Sequence, residues 1–130
     1  MIYLDASVAL AHLFSEDRCP PPSLWDERLI SSRLFEYELW TRIHGRGLGQ
    51  EHPVAEAASL LINRVSLVEM APPVLLRALQ PFPSPVRTLD ALHLASADFL
   101  RSRTLPIVIA SYDNRLLSVA RQMDFPIAEV

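Results

Sequence analysis

The sequence predicts an α/β fold of three layers, in which helices cover both faces of a central, mainly parallel sheet. Short apolar stretches alternate with longer segments whose apolar residues recur every three or four positions, a pattern typical of strands connected by amphipathic helices. The clearest short stretch, "PIVIAS" at 106–111, is apolar almost throughout and is typical of a strand buried on both faces. With 130 residues, of which 50% are hydrophobic, the chain is long enough to bury a core, and we expect one domain spanning residues 1–130.

The first part of the chain contains two predicted strands separated by a region rich in helix breakers. Residues 2–5 begin with three apolar side chains and are predicted to form a strand, and residues 7–14 are predicted to form a helix. The segment 15–23 contains three consecutive prolines and is predicted to be a loop, because proline cannot continue a helix. A short helix at 23–28 and a short strand at 29–31 are expected to follow.

The middle of the chain shows helical periodicity interrupted by glycine and proline. Apolar residues three and four apart predict helices at 32–44 and 51–64, and the glycine-rich segment 45–49 separates them. Residues 65–70 alternate like a strand. The segment 72–80 starts with two prolines, which fit the first turn of a helix, and then continues with a helical pattern.

The last third of the chain repeats the alternation of strand and helix. A strong helix is predicted at 88–103, with Thr88 as its N-cap residue. The apolar strand at 106–111 comes next and is followed by a helix at 113–123. The segment 126–130 is predicted to form a weak final strand.

Composition and charge exclude several classes of protein. The net charge of −3 argues against a general nucleic-acid coat, which would be basic. All basic residues are arginine, which fits either genomic base composition or contact with phosphate through the planar guanidinium, and no mechanism that needs a lysine is available. No apolar run is long enough for a membrane span, a signal-peptide pattern is missing, and Cys19 has no second cysteine to pair with, so we expect a cytoplasmic protein.

Four acidic residues stand where an α/β fold places its chemistry. In an open parallel sheet, ligands bind in the crevice at the carboxyl ends of the strands. Asp5 ends the first predicted strand, and Asp113 follows the strand at 106–111. Glu38 lies inside a predicted helix and Asp90 opens another, so two acids from strand ends and two from helices can converge at one edge of the sheet.

Convergence of carboxylates requires protons or cations. Two carboxylates about 4 Å apart repel by roughly 4 kcal/mol at an effective dielectric constant of 20. Hard oxygen ligands suit Mg²⁺ or Mn²⁺, which can lower the pKa of a water molecule and stabilise the charge on a phosphate leaving group. The sequence has no glycine-rich phosphate loop, HExxH or CxxC motif, so the acidic cluster points to phosphodiester hydrolysis with a water nucleophile.

Each acid also has a structural interpretation. Asp5 and Asp113 could cap the helices that follow them, and Asp90 could stabilise the N-terminus of its helix through the helix dipole. Glu38 taken alone fits a solvated helix residue. The functional interpretation is favoured by the occurrence of all four at matching places in the fold.

Neighbouring residues leave further alternatives. Glu36 competes with Glu38, because residues two apart on a helix lie about 200° around its axis and cannot both face the site. Arg42 shares a helix face with Glu38 and is expected either to pair with it or to approach phosphate, with pairing favoured. His93 shares a face with Asp90 and fits a buried, hydrogen-bonded histidine better than a catalytic base.

Four blocks of the sequence contain the acidic residues, namely "YLDASVAL", "SSRLFEYELW", "TLDALHLASA" and "ASYDNRLLSVAR". In content and order these blocks resemble those of the PIN-domain ribonucleases, especially the VapC toxins of prokaryotic toxin–antitoxin systems. The resemblance places the family's catalytic and metal-binding acids on Asp5, Glu38, Asp90 and Asp113. Ser7 and Ser111 keep hydroxyls where the family often has a polar residue, although "DAS" replaces the common "DTS" and "SYD" replaces "TAD" or "TFD".

The resemblance implies a Mg²⁺- or Mn²⁺-dependent endoribonuclease that cleaves structured RNA, commonly tRNA or rRNA. It also implies a homodimer, silenced by a VapB-type antitoxin whose C-terminal tail can reach the acidic pocket, and no membrane partner. Arg42 and Arg115 are candidates for contact with RNA or antitoxin. The alternative is a non-catalytic PIN-like binding module, although such a module usually lacks one of the acids. A signalling receiver domain is excluded because receivers need a lysine.

Overall fold

The computed structural model describes residues 1–130, and at its centre lies a sheet of four parallel strands. The strands are β1 (Ile2–Leu4), β2 (Leu29–Ser32), β3 (Ser66–Val68) and β4 (Val108–Ala110). The helices are α1 (Ala6–Leu13), α2 (Leu34–Gly45), α3 (Pro53–Arg64), α4 (Pro72–Ala78), α5 (Thr88–Ser102) and α6 (Asn114–Gln122), and a 3₁₀ helix (Pro22–Asp26) precedes β2. The predicted α/β fold with a parallel sheet is therefore confirmed.

The strand order places β1 at the point where the chain changes direction across the sheet. The order is β3-β2-β1-β4, so the chain first builds outwards from β1 to β3 and then returns to add β4 on the other side. In register, Tyr3 lies beside Ile30 of β2 and Ile109 of β4. A reversal of this kind opens a crevice at the carboxyl ends of the two strands involved, here β1 and β4.

Consecutive residues of β1 belong to the two cores on opposite faces of the sheet. Tyr3 is buried with α5 and α6, in a cluster that includes Leu94 and Leu117. Leu4 is buried with α1, α2 and α3, in a cluster that includes Phe35. Because side chains alternate across a strand, the sheet has a core on each face, which gives the three-layer arrangement. Asp5 follows directly after β1, at the edge of the sheet where the crevice lies.

The starts of the helices follow from local chemistry, with one correction. His52 caps α3 by accepting a hydrogen bond from the backbone N–H of Val54 at 3.1 Å, and Pro72 lies in the first turn of α4 as expected. The prediction that Thr88 caps α5 is wrong. Arg87 occupies the N-cap position and Thr88 is the first helical residue, so the helix begins without a side-chain cap.

Two further predictions needed adjustment at the ends of elements. The expected strand at 126–130 is reduced to a single parallel bridge between Ile109 and Ile127. The strand predicted at 106–111 pairs only over Val108–Ala110, which leaves Ser111 beyond the strand end and beside the crevice. None of the helices combines the length and apolarity needed to cross a membrane.

Candidate active site

Asp5 is fixed at the end of β1 by two serine hydroxyls. Its backbone N–H continues the sheet by donating to the carbonyl oxygen of Ala110 at 2.9 Å. Its carboxylate is buried, and Oδ2 accepts from Ser7 Oγ at 2.5 Å and from Ser111 Oγ at 2.8 Å. Although Asp5 stands at the N-cap position of α1, its side chain makes no capping hydrogen bond. Both hydroxyls bind Oδ2, and Oδ1 accepts no hydrogen bond from the protein.

The two serines also connect the ends of β1 and β4. Ser7 Oγ accepts from the backbone N–H of Tyr112, and Ser111 Oγ accepts from the backbone N–H of Asp113, each at 2.9 Å. Each hydroxyl therefore donates to Asp5 and accepts from the loop that carries Asp113. The two hydroxyls therefore link the carboxylate at the end of β1 to the segment that follows β4.

Asp113 combines a helix cap with a place in the crevice. Its Oδ1 accepts from the backbone N–H groups of Arg115 at 2.9 Å and Leu116 at 3.4 Å, so its predicted capping of α6 is confirmed. Its Oδ2 accepts from the guanidinium of Arg87. Burial alone would raise the pKa of Asp113, but these hydrogen bonds, that from Arg87 most of all, hold it below its ordinary value.

Arg87 also binds the acid at the start of α5. Its Nε donates to Oδ2 of Asp90 at 2.7 Å, while Nη2 of the same guanidinium donates to Asp113. Asp90 is only 7% exposed, and this arginine is its ion-pair partner. Arg87 is the site residue that sequence analysis missed; it lies close to Asp90 in the sequence, but no sequence pattern indicates its contact with Asp113.

Glu38 projects from α2 and is hydrogen-bonded to a buried histidine. Its Oε1 is hydrogen-bonded to Nε2 of His93, and Nδ1 of His93 lies 2.8 Å from the hydroxyl of Tyr3. Burial opposes the charge on His93, but Tyr3, Glu38 and Asp5 outweigh burial and raise its pKa to about 10. The expectation of a buried, hydrogen-bonded histidine is confirmed.

The competition between the two glutamates of α2 is decided by their contacts. Glu36 points away from the crevice and pairs with Arg33 at 3.2 Å, whereas Glu38 lines the cavity. The expected pairing of Arg42 with Glu38 is wrong. Arg42 lines the same cavity, but its guanidinium makes no ion pair, because the carboxylate of Glu38 is turned towards His93.

All four predicted acids line one cavity of about 370 Å³, whose walls also include Ser7, Arg42 and Arg87. Ligand atoms of Asp5, Glu38 and His93 all lie within 4.8 Å of one another. Asp90 and Asp113 are outside that closest group. The donors are chiefly carboxylate oxygens, and Asp5 has an oxygen to spare, so the residues present fit a hard divalent cation.

A second cavity of about 530 Å³ adjoins the first and shares Arg87 and Asp90 with it. Its other walls come from the loop at 84–86 and from helix α6, which contributes Asn114, Arg115 and Ser118. Arg115 is exposed there, and its contact with RNA or antitoxin stays a prediction. Arg87 and Asp90 therefore lie between the two cavities.

Comparisons with known proteins agree with this geometry. The family model described as "PIN domain" matches residues 2–122, which is most of the chain. Ribonuclease VapC47 of Mycobacterium tuberculosis (strain CDC 1551 / Oshkosh) is 30% identical over 132 aligned positions, covering 96% of this chain and 93% of the relative. Four acids gathered at the sheet crevice, a family match over nearly the full length and a relative of matching length lead to one conclusion: the chain belongs to the PIN-domain family and, within it, to the VapC type.

Proposed function

We propose that this protein is a metal-dependent endoribonuclease toxin that hydrolyses phosphodiester bonds in structured RNA, such as tRNA or rRNA. The observation that carries the proposal is the convergence of Asp5, Glu38, Asp90 and Asp113 in one cavity. A nuclease of the PIN-domain family is the coarser conclusion, supported by the VapC-type ribonuclease relative. Metal dependence and the type of RNA are the finer parts of the proposal.

The four acids would hold Mg²⁺ or Mn²⁺ in the cavity. A divalent ion bound there supplies positive charge for the phosphate and an acidified water molecule. The chain itself supplies orientation: Ser7 and Ser111 fix Asp5, and His93 fixes Glu38. Arg42 adds an exposed positive charge at the rim, where the phosphates of a bound RNA would pass.

The partners follow from the type of protein. We propose that a VapB-type antitoxin silences the activity and that the protein forms a homodimer. Residues 1–130 would act as a single domain in the cytoplasm, where structured RNA is found. Arg115 would contact either RNA or the antitoxin, which is supported by its exposure in the adjoining cavity.

The test uses two glutamates of one helix as a matched pair. Labelled tRNA and rRNA fragments are incubated with the protein in Mg²⁺, in Mn²⁺ and in EDTA, and cleavage is followed on gels. We expect cleavage with either metal, none in EDTA, and a loss of about a hundredfold or more in Glu38→Gln. Glu36→Gln should cleave like the wild type, because Glu36 faces Arg33 and not the cavity.

Cleavage that persists in EDTA, or a Glu38→Gln variant as active as Glu36→Gln, would contradict the proposed mechanism. The alternative of a non-catalytic binding module predicts a different pattern. Such a module would bind Mn²⁺ in calorimetry and cut no member of the RNA panel.

A further inference from the structure

The guanidinium of Arg87 occupies the place where a cation is needed between two of the four acids. Its Nε binds Oδ2 of Asp90 in α5, and its Nη2 binds Oδ2 of Asp113 at the N-cap of α6. These two acids are the ones that lie outside the closest group of ligand atoms, which is formed by Asp5, Glu38 and His93. Arg87 thus neutralises the two acids outside that group, whereas within it Glu38 is hydrogen-bonded to His93 and Asp5 has only serine hydroxyls as side-chain partners.

A cation held in this way competes with a divalent metal ion at the shared carboxylates, because Arg87 occupies Oδ2 of both Asp90 and Asp113. A charge-assisted hydrogen bond requires the lone pairs that a metal would use, and the repulsion of two nearby cations adds to that conflict. Arg87 is therefore a competitor of the metal and not a neutral neighbour.

Arg87 has room to move aside. Its side chain is 52% exposed, whereas that of Asp90 is 10% exposed, so the acid is fixed by packing and the arginine is not. Arg87 lines both cavities, and the adjoining one, of about 530 Å³, offers Asn114 and Ser118 as polar neighbours. A released guanidinium would lie in the adjoining cavity, beside Arg115 and in the path of a phosphate.

We propose that Arg87 is a built-in counter-cation that holds Asp90 and Asp113 in the metal-free protein and is displaced into the adjoining cavity when a divalent metal ion binds. This inference rests on the proposed metal dependence and assigns a regulating residue to the same site. It makes Arg87 a positioning residue, which sets how readily the site takes up metal.

Metal affinity tests the proposal directly. Titration calorimetry with MnCl₂ compares the wild type with Arg87→Gln and with Arg42→Gln, which removes an equal charge from the same cavity without breaking an ion pair. We expect Arg87→Gln to bind Mn²⁺ roughly tenfold more tightly, because the metal no longer displaces two charge-assisted hydrogen bonds. Arg42→Gln should change the Mn²⁺ affinity by less than about threefold. The charge of Arg42 is exposed and acts on the metal site only through an interaction that salt and solvent screen.

Displacement of the arginine is visible by NMR of the arginine Nε–H groups during titration with Mg²⁺. The Arg87 Nε–H resonance, identified by its loss in Arg87→Gln, should lose its hydrogen-bonded shift as the metal binds. Arg77 provides an internal control, because its Nε donates to Asp98 at the same distance of 2.7 Å and Asp98 contributes nothing to the cavity. Its resonance should stay in place.

The possible failures can be told apart. If the wild type binds Mn²⁺ and Arg87→Gln binds it equally or less tightly, or if Arg42→Gln strengthens binding as much, the counter-cation role is wrong and the metal-dependent nuclease stands. An Arg87 resonance that is unmoved at saturating Mg²⁺ would also overturn the counter-cation role alone. If no variant binds Mn²⁺ and cleavage continues in EDTA, the proposed metal dependence falls, and the inference falls with it.

Discussion

Helix α5 carries two aspartates that both bind arginine, yet their surroundings differ. Asp98, two turns beyond Asp90, has both oxygens occupied, Oδ2 by Nε of Arg77 and Oδ1 by Nη2 of Arg101, each at 2.7 Å. Asp90 uses only Oδ2 for Arg87 and faces the cavity with the rest of its carboxylate. An ion pair by itself therefore does not identify a functional acid. The distinguishing feature is an incompletely satisfied carboxylate among other acids.

The difference between Asp90 and Asp98 is tested most directly by neutralising each aspartate in turn. Asp90→Asn should reduce metal-dependent RNA cleavage by roughly a thousandfold, because the site loses a charged oxygen ligand. Asp98→Asn should keep most of the activity, since Asp98 lies outside the cavity. Initial cleavage rates at saturating Mn²⁺ measure both. Equal losses in the two variants, or a wild-type rate in Asp90→Asn with the same metal requirement, would erase the distinction.

Two buried serines extend the comparison to groups that act through a neighbour. Ser111→Ala removes a hydroxyl that donates to Asp5, and we expect about a tenfold to hundredfold loss of cleavage, as for other groups that orient metal ligands. Ser96→Ala removes a buried hydroxyl that donates to the carbonyl oxygen of Leu92 within α5. Its activity should match the wild type. Cleavage rates measured over a range of Mn²⁺ concentrations show whether Ser111→Ala weakens the apparent metal affinity. We expect it to do so if Ser111 orients Asp5.

The smallest expected effect is on the free energy of unfolding, and it is predicted for the substitution of Asp98. Asp98→Asn should lower the free energy of unfolding by about 1 kcal/mol, since its two ion pairs are partly exposed and screened. Burial opposes the charge on Asp98, but the hydrogen bonds from Arg77 and Arg101 outweigh burial and hold its pKa below the ordinary value. Urea denaturation at neutral pH measures the loss.

The pH dependence of that difference has a definite sign. Because the pKa of Asp98 is depressed in the folded state, the folded protein resists protonation there more than the unfolded chain does. The extra stability of the wild type over Asp98→Asn is present above the ordinary aspartate pKa of about 4 and shrinks as the pH falls below it. A gap that widens towards acid pH would show that the ion pairs do not stabilise the fold.

The sequence predicts the parts of the site that depend on where strands end and on the period of a single helix. Asp5 and Asp113 were located because carboxyl ends of parallel strands share an edge, and the cap formed by Asp113 is a contact with its own helix. The choice between Glu36 and Glu38 stayed open, because the period excludes one of them without saying which. The contact of Glu38 with His93 decides it.

The features that were missed depend on contacts between distant parts of the chain. Arg87 precedes its helix, where helical spacing does not apply, and its second partner, Asp113, comes from another helix. The predicted pairing of Arg42 with Glu38 is wrong for the same reason. The carboxylate of Glu38 is hydrogen-bonded to His93, which lies on a separate helix. Helical periodicity describes neighbours on one element and is silent about the charges that the fold brings from elsewhere.

The position of β4 beside β1 has a consequence for the order in which the protein acquires its chemistry. Asp5 is made early, but Ser111 and the strand that borders it on one side come late in translation. A nascent chain that ends before β4 holds three of the acids without Asp113 and without the second hydroxyl that orients Asp5. Long-range parallel pairing of this kind forms slowly. The group of four acids is therefore complete only after the chain has been made beyond β4 and that strand has paired with β1.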